Sequence, residues 1–153
     1  MNNPSDDPKF YDIQVENAEA NRNFHVLIAD DNSMDRLIVG ATLTKMGFKH
    51  LIEAENGQIA QYKIENATQT KKPFDLIILD WEMPQLNGLR LLKIIRSDVQ
   101  TRHTSVLMLT ARSNVERVTE ALEAGVNQFM VKPINPKDFC QKVTELMKHP
   151  KRS

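Results

Sequence analysis

Residues 74 to 92 read FDLIILDWEMPQLNGLRLL, and the apolar run Leu76-Ile77-Ile78-Leu79 stops at Asp80 before an irregular Trp81-Glu82-Met83-Pro84 segment. Unbroken hydrophobicity over so short a run predicts a strand covered on both faces, because a half-solvated strand would alternate. Pro84 and Gly88 supply turn chemistry, and from Gly88 to Arg96 the apolar positions return at helical spacing. The stretch is a strand, a loop and a helix, and the strand carries a carboxylate to its carboxyl end.

The same texture repeats on either side. FHVLIA (24 to 29), HLIEA (50 to 54), FDLIIL (74 to 79), SVLMLT (105 to 110) and QFMVK (128 to 132) predict five strands. Helical patterns lie between and after them at 33 to 46, 58 to 68, 88 to 96, 114 to 124 and 136 to 148. Val115, Val118 and Leu122 predict one core-facing helical stripe, and Phe139, Val143, Leu146 and Met147 another. Ser33 and Asn135 are expected to cap helix N-termini, Pro136 suits a first helical turn, and Gly47 and Gly125 suit left-handed helix ends. Parallel strands joined by crossover helices cover both faces of such strands. The expected fold is therefore α/β, a doubly wound (βα)5 unit with a parallel five-stranded sheet in the flavodoxin-like order 2-1-3-4-5. In that architecture ligands sit at the carboxyl ends of the strands, where the order reverses.

The bulk numbers set the frame. A chain of 153 residues suits one domain with a real core. The polar segment 1 to 23, with five acidic and two basic side chains, reads as a flexible extension; 24 to 148 is the domain, and 149 to 153 a short basic tail. Lys plus Arg and Asp plus Glu number 20 each, which argues against a nucleic-acid footprint. The single cysteine, Cys140, excludes an internal disulfide and is expected to be buried or half-buried on the last helix. No secretory leader opens the chain and no apolar stretch reaches the roughly 20 residues that cross a bilayer, so no membrane association is expected and the expected location is the cytoplasm. His25, His50, His103 and His149 show no metal-ligand spacing and are assigned no chemistry.

What stands at the strand ends decides the function. Strand 1 ends in Asp30-Asp31, strand 3 in Asp80, strand 4 in Thr110-Ala111 and strand 5 in Lys132-Pro133. These groups are distant in sequence and converge only through the fold. Three carboxylates together require a cation or raised pKa values, and an oxygen-only ligand set selects a hard ion, Mg2+. Lys132 offers a positive charge and Thr110 a hydroxyl donor, both suited to phosphoryl oxygens. Asp80, alone at the central strand end, is the natural nucleophile, since carboxylates form acyl phosphates.

With these residues in place the chain resembles the response regulator receiver domains of two-component signalling, over about residues 24 to 148. The resemblance rests on Asp30-Asp31, the LDWEMPQLNG loop with Asp80, Thr110-Ala111 and Lys132-Pro133 in the family's order. Phe129 stands three residues before Lys132, where the family carries an aromatic switch residue. The acid pair before a short polar helix start and the tryptophan after Asp80 are similar to single-domain regulators of the chemotaxis type.

The resemblance implies that Asp80 accepts a phosphoryl group from a histidine kinase or histidine phosphotransfer protein. It implies that Asp31 binds Mg2+ directly, Asp30 largely through water, and that Asp80 and the backbone carbonyl of Glu82 complete the protein ligands. Lys132 would pair with the phosphoryl oxygens, Thr110 would move toward them and Phe129 would rotate inward behind it. A surface formed by the fourth helix, fifth strand and fifth helix would then change its affinity for a downstream protein. The Lys132-Pro133 bond is expected to be cis, and the molecule to be a monomer or a weak phosphorylation-dependent dimer. Glu82 and Arg112, two residues after Asp80 and Thr110, stand where the family tunes phosphoryl lifetime, and are expected to pair as a lid that slows hydrolysis. Trp81 is expected to be half exposed beside the site.

Only five residues follow the last helix, so the expected output is a contact with a separate protein and not with DNA. A phosphorelay intermediate, passing the phosphoryl group on to another histidine, is the alternative. A phosphatase of the haloacid dehalogenase type also uses an aspartate with Mg2+, and Glu82 stands where its second acid belongs, but that acid is a Glu and no further acidic motif follows; the reading is a signalling protein and not an enzyme. A flavodoxin-like cofactor binder is excluded, because Asp30-Asp31 would repel the phosphate.

Overall fold

The computed structural model describes residues 18–112 and 114–148. Most of the expected extension and the whole basic tail thus lie outside the described residues. The elements run α1 (Ala18–Asn21), β1 (His25–Ala29), α2 (Ser33–Lys45), β2 (His50–Ala54), α3 (Gly57–Gln69), β3 (Leu76–Asp80), α4 (Gly88–Ser97), β4 (Ser105–Thr110), α5 (Val115–Glu123), β5 (Gln128–Val131) and α6 (Pro136–Lys148). The five strands form one parallel sheet, as expected from their continuous hydrophobicity, and its order is the expected β2-β1-β3-β4-β5.

Alternate side chains of the strands feed two cores, one on each face. Leu27, Ile77, Leu79, Val106 and Met108 pack with α3, α4 and Ala121 of α5, while Val26, Ile28, Leu76, Ile78, Leu107 and Leu109 pack with α2 and α6. Phe139 and Val143 of α6 are fully buried there, each contributing about 1.5–3 kcal/mol by leaving water. Cys140 is buried beside them.

Helix boundaries follow local chemistry, with one correction. Asn32, not Ser33, caps α2: its side chain accepts from the Asp35 N–H, and Ser33 is already the first helical residue. Asn135 caps α6 as expected, accepting from the N–H groups of Lys137 and Asp138. Gly47 and Gly125 follow α2 and α5 with φ of 98° and 93°. At Gly47 a second constraint applies, because a Cβ there would lie 2.5 Å from the Ala18 carbonyl oxygen. Residues 18–23 are accordingly part of the folded body and not a solvated tail: the buried Asn21 amide donates to Met46 O at 2.9 Å.

The α5 stripe is also corrected. Val115 is 83% and Leu122 62% exposed; the buried residue of this helix is Ala121, with Val118 half-buried beside it. Spacing identifies a face of a helix but not which face meets the core, and here the fully buried position falls on the small Ala121. Two large apolar residues are left in water on α5. The Lys132-Pro133 peptide is cis.

Candidate functional site

Strand register builds the site. Ala29 lies beside Leu79, Asp80 beside Leu109 and Thr110 beside Val131, so Asp80 and Thr110 end their strands at the same sheet edge, and Asp30 and Lys132 follow one residue beyond the paired Ala29 and Val131. Backbone bonds hold them there: Trp81 N–H donates to Leu109 O and Lys132 N–H to Thr110 O, both at 2.8 Å. Gly88 lets the following loop fold back, since a Cβ at that position would sit 2.1 Å from the Asp80 carbonyl oxygen.

The acids differ in environment. Asp30 is buried, accepting from the Asn32 N–H on Oδ1 and from Lys132 Nζ on Oδ2, at 2.9 and 2.8 Å. Asp31 is exposed. Asp80 is 2% exposed and its Oδ1 makes no hydrogen bond; Lys132 Nζ stands 3.5 Å from it, close enough for attraction but too long to satisfy it. Burial first, and the Asp30 charge second, push the Asp80 carboxyl up to about 8, with Lys132 opposing them. Burial would lower the Lys132 ammonium, but its bonds to Asp30 and Asp35 and the Asp80 charge raise it above its ordinary value.

Oxygens of Asp30, Asp31 and Asp80 lie within 4.8 Å of one another. A buried carboxylate oxygen without a partner, in an all-oxygen cluster, is a donor set that fits a hard divalent cation such as Mg2+. Asp35, in the first turn of α2, is a further member: it accepts from Lys132 Nζ at 2.8 Å. The acid-rich stretch Asp30-Asp31-Asn32-Ser33-Met34-Asp35 carried a signal for it, because a residue in the first turn of a helix starting at a strand end points back to that end.

On the other side Thr110, fully buried, donates its hydroxyl to Glu82 Oε1 at 2.7 Å. It accepts from Arg117 Nη1 and from the Arg112 N–H, each at 3.1 Å. Arg117 Nη1 also donates to Glu82 Oε1 at 2.5 Å, and its guanidinium lies 4.5 Å from the Trp81 ring centroid. Burial alone would raise the Glu82 carboxyl; bonds from Thr110, the Ala111 N–H and Arg117 outweigh it and hold the group below its ordinary value.

The expected Glu82–Arg112 lid is therefore replaced by a Glu82–Arg117 pair. Arg112 is exposed, and what it brings to Thr110 is its backbone N–H. It leaves the sheet directly after the strand end, whereas Arg117 returns on the first turns of α5. No sequence signal marked Arg117, because its place depends on how α5 docks. Trp81 is also corrected: it is 7% exposed, not half exposed, since it packs in the core cluster, under the Arg117 guanidinium and in a T-shaped contact with Phe129. Phe129 is half-buried, with its ring at 86° to Trp81 and 6.3 Å between centroids.

A buried strand-end carboxylate flanked by two acids, a lysine and a threonine on a 2-1-3-4-5 sheet is the layout that defines a class, and the family comparison agrees. The chain belongs to the response regulator receiver domains of two-component signalling: the family model matches residues 26–144. Among particular relatives, it is 37% identical over 118 residues to the chemotaxis protein CheY1 of Helicobacter pylori, covering 77% of this chain and 92% of that one. It is 38% identical over 126 residues to the chemotaxis protein CheY-3 of Vibrio cholerae, covering 82% and 93%. Among solved structures, the chemotaxis response regulator CheY4 of Vibrio cholerae aligns with a TM-score of 0.72 at 31% identity, covering 80% of this chain and 98% of that one. The CheX-CheY-BeF3-Mg+2 complex of Borrelia burgdorferi aligns at 0.74 and 25% identity, covering 95% and 98%. Receiver domains are signalling proteins and not classical enzymes. No helix among the described residues is long and apolar enough to cross a membrane.

Proposed function

We propose that the protein accepts a phosphoryl group on Asp80 from the phosphohistidine of a histidine kinase or phosphotransfer protein and thereby changes its affinity for a downstream protein. The observation that carries this reading is the buried Asp80 carboxylate with one unpartnered oxygen, set between an acid pair and a lysine. An Asp80 oxygen attacks phosphorus, the donor's P–N bond breaks and the imidazole leaves with a proton; in dephosphorylation water attacks phosphorus and the carboxylate is restored.

Asp30, Asp31 and Asp80, with the backbone carbonyl of Glu82, would hold Mg2+, which when bound supplies positive charge against the clustered carboxylates and the phosphoryl oxygens. Asp30 and Asp35 hold the Lys132 ammonium at the site, and its remaining capacity goes to a phosphoryl oxygen. Thr110 has one proton, now given to Glu82, and must turn it to the phosphoryl group. Phe129, half-buried against Trp81, would rotate inward once that hydroxyl moves. The output face is formed by α5, β5 and α6, where Val115, Leu122 and Val131 are exposed. The Borrelia complex, in which a receiver meets CheX, supports such protein contacts.

Label transfer from a purified phosphorylated histidine kinase tests the reading. The expected product is one acid-stable, hydroxylamine-labile phosphoryl group per chain, absent in Asp80→Asn. Labelling of Asp80→Asn at the wild-type level would sink it. Chasing the label to water or to a histidine protein separates a terminal regulator from a phosphorelay intermediate.

A further inference from the structure

The side chain of Arg117 touches three groups from two other parts of the chain: Glu82 Oε1 and the Trp81 ring in the β3–α4 loop, and Thr110 Oγ1 at the end of β4. Its own helix has little else to hold it. Ala121 is the residue α5 buries, while Val115 and Leu122 stand in water. We propose that Arg117 is a positioning residue that couples the charge at Asp80 to the seating of α5, through the Glu82–Thr110 pair; the proposal rests on the receiver reading.

The coupling follows from counting donors. The Thr110 hydroxyl has one proton and gives it to Glu82; the same Glu82 oxygen accepts from Arg117. A phosphoryl group on Asp80 adds a dianion at the sheet edge where Thr110 also ends its strand, on the side of a Glu82 carboxylate that is itself ionised. The hydroxyl is drawn to the phosphoryl oxygens, which carry the larger charge and so make the stronger charge-assisted bond, while the Glu82 oxygen is already shared with Arg117. Glu82, repelled and stripped of the Thr110 donor, moves outward, and Arg117 loses both polar partners at once. What remains of α5's attachment is Ala121, the half-buried Val118 and, at its C-cap, Ala124 packed on the core, so the helix loosens from its N-terminal end. Trp81, under the guanidinium, senses the same event.

The test is amide hydrogen exchange of the full chain, with Mg2+ alone and with Mg2+ plus beryllofluoride, while fluorine NMR of bound beryllofluoride reports loading separately. In wild type, loading is expected to speed exchange of the α5 amides about tenfold. Arg117→Met is expected to show fast α5 exchange without beryllofluoride and no further change on loading, with β1 and β3 amides as protected as in wild type. Glu82→Gln, which weakens the clasp from its other side, is expected to behave alike and serves if Arg117→Met folds poorly. A purely structural arginine would give fast α5 exchange in the variants but no response of wild type to loading. Bound beryllofluoride without a wild-type α5 response, or a response that persists undiminished in Arg117→Met and Glu82→Gln, overturns the proposal alone. No beryllofluoride binding in wild type overturns the receiver reading and the proposal with it.

Discussion

Asp80 stands in its native site at a cost. Burial and the Asp30 charge raise its carboxyl to about 8 from an ordinary 3.8. Because the folded pKa lies above the unfolded one, the folded chain holds this proton more tightly. Below about pH 4 both states are protonated and nothing is lost; between pH 4 and 8 the unfolded chain ionises first, and the native state loses stability as pH rises. Relaxation and water penetration keep the loss well under the full shift, at about 2 kcal/mol by pH 8. Asp80→Asn, assayed by urea unfolding without divalent ions, is therefore expected to be about as stable as wild type at pH 4.5 and about 2 kcal/mol more stable at pH 8. A variant that follows the wild-type pH profile would remove this account. That a lone acid ends an apolar strand was visible in the sequence; that one of its oxygens has no partner was not, because hydrogen bonding is decided by Asp30, Asp35 and Asp80 competing for the single ammonium of Lys132.

At the scale of elements, legibility depended on whether a pattern fixes a single solution. Runs such as Leu76–Leu79 and Val106–Leu109 admit only strands covered on both faces, and they are fully buried. Phe139 and Val143 named the buried face of α6 because no rival apolar stripe exists there. On α5 the stripe of Val115, Val118 and Leu122 marked one row, whereas the docked helix buries Ala121 one position over and leaves Val115 and Leu122 exposed. Caps behave alike: Asn32 and Ser33 are adjacent candidates, and only the backbone shows which is extended. Asn32 has ψ of 115° and accepts from Asp35 N–H, an interaction that also steadies the helical turn from which Asp35 reaches Lys132. Asn32→Ala is expected to cost about 1 kcal/mol, and Ser33→Ala within about 0.5 kcal/mol of nothing, by denaturant unfolding. Equal losses would return the cap to Ser33.

For the whole molecule, the sheet gathers like charges that repel, and its stability is tied to whatever neutralises them. Strand order and register place Asp30, Asp31 and Asp80 within 4.8 Å, so the apolar cores on both faces hold together an arrangement that electrostatics alone would spread. A divalent cation that binds only the folded chain stabilises it by mass action, about 2.7 kcal/mol at a hundredfold excess over Kd. For a domain of this size that corresponds to a rise in Tm of roughly 5–10 °C. An Mg2+ ion held by Asp80 would compete with its proton, so the rise is expected to be larger at pH 8 than at pH 5.5, reversing the metal-free loss of stability. Asp31→Asn should weaken the response while leaving the metal-free pH profile nearly intact, since Asp31 is exposed and Asp80 remains. Asp80→Asn should weaken it and flatten the profile together. Thermal unfolding with Mg2+ titrated at both pH values separates these outcomes, and a rise of equal size in wild type and both variants would mean that the ion binds elsewhere.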